Sequence, residues 1–401
     1  MTELASKPIM ILGAGVYQVP LIREVKKAGH TAIVVSPGGD YPGICLADVF
    51  LELDITDIGA VTDSAREQGV IGIVTAGSDV GVPTIGTVAE SLGLKGPTRN
   101  ASETVSSKIG FRTFLQKNGL NCPNFAACRS AEDAISFCDS WDNGKVLKPD
   151  DSSGSRGVTI LEAGAGTDMI EEAYRHAAQH SRSGLVCAEE FLAGMEVGGD
   201  AFFIDGTLGF FTTTCKHMEG TLVRGHSLPG SLPRHQVTQV KNEIYRIASR
   251  LGYRDGPINF DVMVAENGAT AIEVGLRNGG NGIVDLIRCS EGVNLHRWLI
   301  SYVLGVPISA EQEEKPRAVS SFVFGSPGAG ILRHVPETTD LRRNVPEVLD
   351  VVLARNAGDR VEAFQHNASL IGYLLLDCGF ADYAEVTARA QQALELEIEC
   401  G

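Results

Sequence analysis

The sequence predicts an α/β fold in its first part and α+β units in the rest of the chain. Strands alternate with helices over residues 1–95, which is typical of a parallel sheet. A β-hairpin pattern follows near residue 265, and the last roughly 90 residues mix short strands with a long helix. At 401 residues, the chain has the length of two to three domains of about 100–200 residues each.

The first unit begins with a strand, PIMIL, followed by the turn GAG, the helical segment VYQVPLIREVKKAG and a second strand, TAIVV. Another strand, VIGIVTAG, lies near residue 73, and the turn at Gly96-Pro97 marks the predicted end of this domain. GAG resembles half of a dinucleotide-binding fingerprint, but Gln18 stands at the third glycine position. A tight turn between strand and helix is the favoured interpretation, and a nicotinamide-dependent oxidoreductase is an alternative.

A capped helix is predicted to open the second unit. It runs from about Ser102 to Asn118, with Asn100 and Glu103 as a capping box and Gly119 as its stop. The remaining predicted elements are a helix from Ser130 to Trp141 capped with Asp133, the strand KVLKP, a polar glycine loop Asp150–Gly157, a helix over residues 168–180, the strand LVCAEEFL, a hairpin turning at Asp205-Gly206, helices Val237–Leu251 and Asn294–Leu304, the charged linker EQEEKPR and a final helix Ala381–Leu396.

The most specific local pattern is a hairpin that brings two carboxylates together. Its arms, PINFDVMVA and ATAIEVGLRNGG, flank an Asn-Gly turn signal. A three-residue loop over 266–268 pairs Met263 with Ala271 and Asp261 with Glu273. Carboxylates opposed on one sheet face repel each other, and a cation between them, such as Mg²⁺, removes that penalty. A two-residue loop would place the acids on opposite faces, and a solvated hairpin is the alternative interpretation.

Composition and charge argue against several classes of protein. The net charge of −16 disfavours nucleic acid or an anionic membrane as the main partner. No apolar run approaches the about 20 residues of a membrane span, and Ile9–Leu12 is too short for a signal peptide. The nine cysteines are odd in number and lack Cys-x-x-Cys spacing. We therefore predict reduced cysteines in a cytoplasmic protein, without a disulfide framework or a zinc site.

Two further segments suit a nucleotide, although each alone has an ordinary explanation. In DDSSGSRGV, the residues Ser153, Gly154 and Ser155 let backbone N–H groups close on phosphate oxygens, and Lys148 supplies a point charge beside them. The spacing is not that of a Walker loop, and a solvated Ser/Gly loop fits equally well. The segment AEEFLAGME can read an adenine edge with its backbone and hold ribose hydroxyls with a carboxylate, or it is a charged strand end.

Together and in this order, the segments resemble the ATP-grasp superfamily. The series comprises Lys108 on SKIGFRTFLQKNG, Lys148 before the glycine loop, AEEFLAGME, GHSLPGSLP, the hairpin and Arg277-x-Gly-Gly. Within the superfamily, the chain is similar to the carboxylate–amine ligases that include L-amino-acid ligases. The resemblance implies a Rossmann-like pre-ATP-grasp domain over residues 1–95, an ATP-grasp core over 96–305 with a mobile lid at 122–190, and a C-terminal α+β lobe over 306–401.

The resemblance also implies roles for individual residues. These are phosphate contacts for Lys108, Lys148, Ser153, Gly154 and Ser155, and adenine contacts for Glu189 and the Leu192 backbone, with Glu190 as a further nucleotide-binding residue. Glu196 would contact the ribose, and Asp261 and Glu273 would bind Mg²⁺ (or Mn²⁺). Arg277 and Lys148 form the catalytic set, in which Arg277 steadies the developing acyl phosphate. Substrate contacts are placed on Lys216, Arg224, His226 and Asn278. Bracing of the GHSLPGSLP loop is the alternative role for Arg224 and His226.

The implied activity is an ADP-forming ligase that joins a carboxylic acid, such as an amino acid or a related small acid, to an amine. ATP and Mg²⁺ would be its cofactors, the small-molecule acid and amine its partners, and a homodimer is a candidate assembly.

The chain departs from the family at one position of the hairpin. The family pattern Glu-x-Asn-x-Arg has an amide where this chain has Gly275. If a metal ligand is missing, Gly275→Asn should tighten the metal dependence. The departure also motivates a non-catalytic nucleotide-binding protein as an alternative, beside a purine-biosynthetic or carboxylase-type ATP-grasp enzyme.

Overall fold

Alternating strands and helices at the start of the chain form a parallel sheet. In this computed structural model, residues 6–266, 268–308, 317–379 and 382–399 are described. The elements of the first sheet and its helices are β1 Pro8–Leu12, α1 Val19–Lys27, β2 Thr31–Ser36, β3 Val49–Glu52, α2 Ile58–Glu67, β4 Gly72–Val74 and α3 Val82–Leu92, with a short 3-10 helix at Ile44–Leu46. The strand order is β3-β2-β1-β4, and the side chains of β1, β2 and β4 are almost all buried, as expected where helices cover a parallel sheet.

Two short helices replace the single helix predicted for residues 102–118. They are α4 Arg99–Ser106 and α5 Lys108–Lys117. The predicted cap at Asn100 is wrong, because Thr98 caps α4. Ser107 has an extended backbone and its hydroxyl accepts from the Gly110 N–H at 2.9 Å, so it ends one helix and starts the next. The predicted stop at Gly119 is confirmed by its left-handed φ of 62°.

A small antiparallel sheet occupies the range predicted for the lid. Its order is β5-β8-β6-β7, with two helices packed against it. Its elements are β5 Phe125–Cys128, α6 Ala131–Asp139, β6 Lys145–Pro149, β7 Thr159–Leu161, α7 Thr167–Gln179 and β8 Val186–Glu190. The capping box of Ser130 and Asp133 at the start of α6 is confirmed.

A large antiparallel sheet forms the centre of the molecule. Its order is β13-β12-β9-β10-β11-β14-β18-β16, so the sheet continues past residue 305, where the C-terminal lobe was predicted to begin. The central elements are β9 Met195–Ile204, β10 Thr207–Glu219, β11 Leu222–Leu228, α8 Arg234–Leu251, β12 Gly256–Ala265, β13 Gly268–Gly275, α9 Ile283–Glu291 and α10 Leu295–Leu304. The predicted turn at Asp205-Gly206 is confirmed by the pairing of Ile204 with Thr207.

The C-terminal residues complete the large sheet and add a small three-stranded one, β17-β15-β19. Their elements are β14 Val319–Gly325, β15 Gly330–His334, α11 Thr338–Asn344, β16 Val348–Leu353, β17 Arg360–Val361, a 3-10 helix Asn367–Ser369, β18 Leu370–Asp377, α12 Tyr383–Ala393 and β19 Glu397–Glu399. Most of the predicted linker EQEEKPR, and Ala381 at the predicted start of the last helix, lie outside the described residues.

No helix in the described part of the chain is long and apolar enough to cross a membrane. None of the cysteines of that part is in a disulfide, and Cys400 lies outside it.

Candidate nucleotide and metal site

A cleft with about 990 Å³ of space, including its open mouth, lies between the small lid sheet and the large sheet. Its walls combine apolar side chains, such as Val146, Ile160 and Met263, with charged groups. Twelve of the residues predicted from the sequence line it: Lys108, Lys148, Ser153, Gly154, Ser155, Glu189, Glu190, Leu192, Glu196, Lys216, Asp261 and Glu273. The fold therefore brings together segments that are up to 165 positions apart in the sequence (273 − 108).

The hairpin does pair Asp261 with Glu273, but in a different way from the prediction. Ala265 pairs with Gly268, so the loop has two residues, and Met263 pairs with Thr270 instead of Ala271. The register then shifts at a β-bulge, which leaves Ile272 without a partner across the strand. Because one extra residue reverses the facing of the strand beyond it, the bulge returns both carboxylates to one face.

Two lysines face these carboxylates in the structure. The Lys216 ammonium lies 2.9 Å from Asp261 Oδ2 and 2.5 Å from Glu196 Oε1. Lys108 Nζ lies 3.8 Å from Glu273 Oε1 and donates to the Ser152 carbonyl at 2.6 Å. Burial lowers the pKa of Lys216, but the two carboxylates outweigh it and raise that pKa above its ordinary value. Positive charge on both sides therefore offsets the repulsion between the acids.

Helix α5 is fixed to the strand that carries Lys148. The Asp150 carboxylate, two residues after Lys148, accepts from the Ser107 hydroxyl and from the Ile109 N–H, both at 2.8 Å. The Asp150 carbonyl accepts from the Lys108 N–H at 2.9 Å. These bonds hold the first turn of α5 beside the glycine loop, and Lys108 and Lys148 both line the cleft.

Arg112 is the main site residue that the sequence analysis missed. Its guanidinium is 1% exposed and donates to Glu189 Oε1 at 2.9 Å and to the carbonyls of Ala271 and Ile272 at 3.0 and 2.8 Å. It thus binds the lid strand β8 and the bulge of the hairpin at once. Its spacing of four residues from Lys108 on one helix places both on the same face, and this was the available signal.

The Glu189 carboxylate is not free for adenine, contrary to its implied role. It is bound by Arg112 and by Lys148, whose ammonium lies 2.7 Å from Oε2. Burial would raise the pKa of Glu189, but these two cations lower it to about 2. The next carboxylate, Glu190, accepts from the amides of Asn124 and Asn143 at 2.9 and 2.8 Å. Both side chains hold the segment in place, which leaves its backbone for a base.

Arg277 lies outside the residues that line the cleft. Its Nε and Nη2 atoms donate to the two oxygens of Asp79 at 2.9 and 2.8 Å, and Nη1 donates to Asn259 Oδ1 at 2.7 Å. Asp79 belongs to the N-terminal unit and was not predicted. A direct role for Arg277 at a phosphate therefore requires this paired guanidinium to be released, and that role stays a prediction.

The structure does not bring three of the four predicted substrate residues to the cleft. Arg224 stacks on the rings of Phe322 and Phe364, with its guanidinium carbon 5.1 and 5.3 Å from their centres. His226 is buried, and its Nδ1 lies 2.9 Å from the Thr214 hydroxyl. Burial lowers the pKa of His226 well below the ordinary value. These contacts favour the bracing role that was the alternative for both residues.

Asn278 is also buried, and its amide donates to the Leu295 carbonyl at 3.3 Å. Only Lys216 among the four substrate candidates lines the cleft.

The GAG turn near the N-terminus is filled by protein. The Gln18 side chain is buried, donates to the Ala76 carbonyl, and would lie 3.0 Å from a Cβ atom at Gly13. Because this side chain covers the turn where a pyrophosphate would approach, the contact favours the structural interpretation of GAG over a nicotinamide site.

Asp200 is a buried carboxyl next to Asn259, the residue that also accepts a hydrogen bond from Arg277. Its oxygens accept from the Gly279 N–H at 2.8 Å and from the Asn259 amide at 3.1 Å. Burial raises the pKa of Asp200 to about 7, because these two hydrogen bonds only partly compensate for lost hydration.

We expect the stability contributed by Asp200 to fall as the pH rises. Since the folded-state pKa of this acid lies above its ordinary value of 3.8, the native state binds more protons than the unfolded state between the two values. Stability is then full below about pH 4 and is lost as the pH rises through about 7. Urea unfolding between about pH 5.5 and 8 should show the Asp200→Asn variant gaining stability relative to the wild type as the pH increases. A pH-independent difference would contradict this expectation.

The residues of the cleft fit a nucleotide with a divalent cation. Lys108, Lys148 and the glycine loop line it together with apolar side chains, and the hairpin adds its paired carboxylates. No three His, Cys, Asp or Glu side chains among the described residues form a metal-binding group by themselves. The two hairpin carboxylates suit Mg²⁺, which takes one or two protein carboxylates and completes its shell with phosphate and water.

Comparison with known proteins supports the same interpretation. An ATP-grasp domain model matches residues 143–285. An uncharacterised protein of Sinorhizobium fredii is 24% identical over 80% of this chain and 68% of its own length. A phosphoribosylamine–glycine ligase of Ralstonia nicotianae is 28% identical over 47% of this chain, and an L-arginine-specific L-amino acid ligase of Bacillus subtilis is 21% identical over 62%. The alignment spans only 45% of the Ralstonia enzyme and 62% of the Bacillus enzyme.

The fold has a full-length counterpart among solved structures. The L-amino acid ligase of Bacillus licheniformis superimposes with a TM-score of 0.80 over 99% of each chain, at 21% identity. From the domain match over residues 143–285, this fold and the residues of the cleft, we conclude that the chain contains an ATP-grasp domain.

Proposed function

We propose that this protein is an ADP-forming ligase that joins a small carboxylic acid to an amine through an acyl phosphate. The observation that carries the proposal is the convergence of Lys108, Lys148, the glycine loop and the Asp261/Glu273 pair on one cleft. The likeness to amino acid ligases in sequence and fold makes an amino acid, or a related small acid, the preferred substrate class.

In this proposal, the chain binds and orients MgATP so that its terminal phosphate meets the acid. The backbone of Glu190–Leu192 would hold the base, Glu196 the ribose, and Lys108 and Lys148 the phosphates. Asp261 and Glu273 would hold Mg²⁺, which when bound offsets negative charge on the phosphates. Lys216 and Lys108, which face the carboxylates in the structure, become available to the phosphates once a cation replaces them.

The reaction then has two balanced steps. A carboxylate oxygen of the acid attacks the terminal phosphorus, and ADP leaves. The amine nitrogen next attacks the acyl carbon, phosphate leaves with the electron pair of the C–O bond, and the amine loses a proton. The lysines stabilise the charge on the transferring phosphoryl group, and closure of the lid sheet would keep water from the acyl phosphate.

A second candidate is a purine-biosynthetic ligase, favoured by the 28% identity to phosphoribosylamine–glycine ligase over 195 residues. That enzyme also forms a C–N bond, so the two candidates differ in substrate. A non-catalytic nucleotide-binding protein remains the third candidate because of Gly275.

Product formation from MgATP across a matrix of acids and amines tests the proposal. The matrix should contain amino acids, other small acids, and glycine with phosphoribosylamine, with nucleotides resolved by chromatography and products by mass. We expect ADP and phosphate only with a particular pair, together with the coupled mass. Turnover restricted to phosphoribosylamine and glycine would favour the second candidate, and ATP binding without turnover across the matrix would favour the third.

A further inference from the structure

Asp79 lies at the junction of the N-terminal unit and the hairpin, in a loop that the core holds firmly. Ala76 forms a parallel bridge with Asn278, and the Gly77 N–H donates to the Asn278 carbonyl at 2.9 Å. The Asp79 carbonyl accepts from the Val82 N–H at 3.0 Å, at the start of α3. The position of Asp79 beside β13 is therefore fixed by backbone contacts on both sides of it.

The Asp79 carboxylate occupies the space that a side chain at position 275 would need. A Cβ atom built on Gly275 would lie 2.5 Å from Asp79 Oδ1, which is closer than non-bonded atoms approach. Because residues two apart in a strand share a face, that space lies on the face of Glu273. An oxygen from the N-terminal unit thus stands where the side chain of an asparagine at position 275 would begin.

The bound guanidinium leaves this carboxylate able to accept further hydrogen bonds. A carboxylate has about four lone-pair sites, and Arg277 takes one on each oxygen. The Asp79 side chain is 21% exposed, so the remaining sites are not sealed by protein. The fork with Arg277 also fixes the direction of the oxygens.

We propose that Asp79 replaces the missing amide of the hairpin and accepts a hydrogen bond from a water on the nucleotide-bound cation. The cation keeps several waters in such sites, and a charged acceptor orients them. The chain therefore completes its metal site across a domain junction, and Gly275 is the residue that makes room. This inference rests on the proposed binding of MgATP. It explains the glycine at position 275 by an acceptor supplied from Asp79 instead of from an asparagine side chain, so the metal site is retained.

Exchange of the two side chains tests the inference through binding rather than activity. Calorimetry would compare affinities for MnADP and for metal-free ADP in the wild type, Asp79→Ala, Gly275→Asn and the double variant. We expect Asp79→Ala to lower the preference for MnADP by about 10-fold, the lower end of the loss when an outer partner of a metal site is removed. The double variant should regain most of the preference for MnADP, because the introduced amide then has space. Asp63→Ala, which removes an exposed carboxylate of the same unit, should match the wild type.

Thermal unfolding accompanies each titration, because Asp79→Ala leaves Arg277 without its main partner. If that variant fails to fold, Asp79→Asn takes its place, because the amide keeps the size of the side chain and an acceptor for Arg277 while it removes the negative charge, and the preference for MnADP should again fall. Retention of the full MnADP preference in Asp79→Ala, or a double variant no better than Gly275→Asn, overturns the inference. A wild type that does not prefer MnADP over ADP contradicts the proposed function itself, and the inference falls with it.

Discussion

Glu273→Ala should lower ATP-dependent product formation by at least about 10²–10³-fold, the range found when one preorganised electrostatic contact to a transition state is removed. Glu273 pairs with Asp261 across the hairpin, so its loss leaves the cation with a single protein carboxylate from that face. Lys108, which lies 3.8 Å from Glu273, would also lose its counter-charge. Because the effect operates through the cation, affinity for metal-free ADP should change little. Initial rates over a Mg²⁺ titration, together with ADP binding, measure both quantities.

The hairpin offers a matched control for this variant. Glu266 lies at its exposed tip, so Glu266→Ala removes a carboxylate from the same hairpin without touching the cleft. Its rate and Mg²⁺ dependence should equal those of the wild type. Full activity of Glu273→Ala would contradict the assignment of Glu273 as a metal ligand. Equal losses of activity in both variants would indicate damage to the hairpin fold.

The same hairpin shows what local sequence can and cannot predict. The alternating arms and the Asn-Gly signal were sufficient to place Asp261 opposite Glu273, yet the intervening pairs were wrong. A strand pattern alone does not show a bulge, since the extra residue at Ile272 is stabilised by Arg112 from a helix about 160 positions away. A tertiary contact therefore stabilises the bulge, and with a two-residue loop the bulge is what puts both carboxylates on one face.

Around the cleft too, some residues could be predicted from local sequence and others depend on tertiary packing. Lys108, Lys148 and the glycine loop were predictable because each belongs to a continuous segment with its own spacing, and short-range spacing survives folding. Arg224 and His226 also lie in a plausible segment, but aromatic rings and a buried threonine bind them instead. Asp79 could not be predicted, because its importance depends on the space beside Gly275, which only the packed domains define.

Arg112→Met should destabilise the protein by about 3–5 kcal/mol, the range for breaking a buried ion pair by removing one partner. The variant leaves Glu189 with Lys148 as its remaining cation, in a position that is 3% exposed. It also removes the donor to the carbonyls of Ala271 and Ile272. Methionine fills similar volume, so the loss reflects charge and hydrogen bonds more than a cavity. Equilibrium urea unfolding, with its slope compared between variants, measures the change.

The bulge gives this variant a second, more specific consequence. Without Arg112, the carbonyls of Ala271 and Ile272 lose the contact that fixes the bulge, and Glu273 loses its defined position opposite Asp261. Preference for MnADP over ADP should therefore fall in the folded protein as well. Arg99→Met is the control, because Arg99 forms an exposed i,i+4 pair with Glu103, and surface ion pairs of this kind contribute little to stability. If Arg112→Met unfolds at the same urea concentration as Arg99→Met, the buried network does not stabilise the site in the way its geometry indicates.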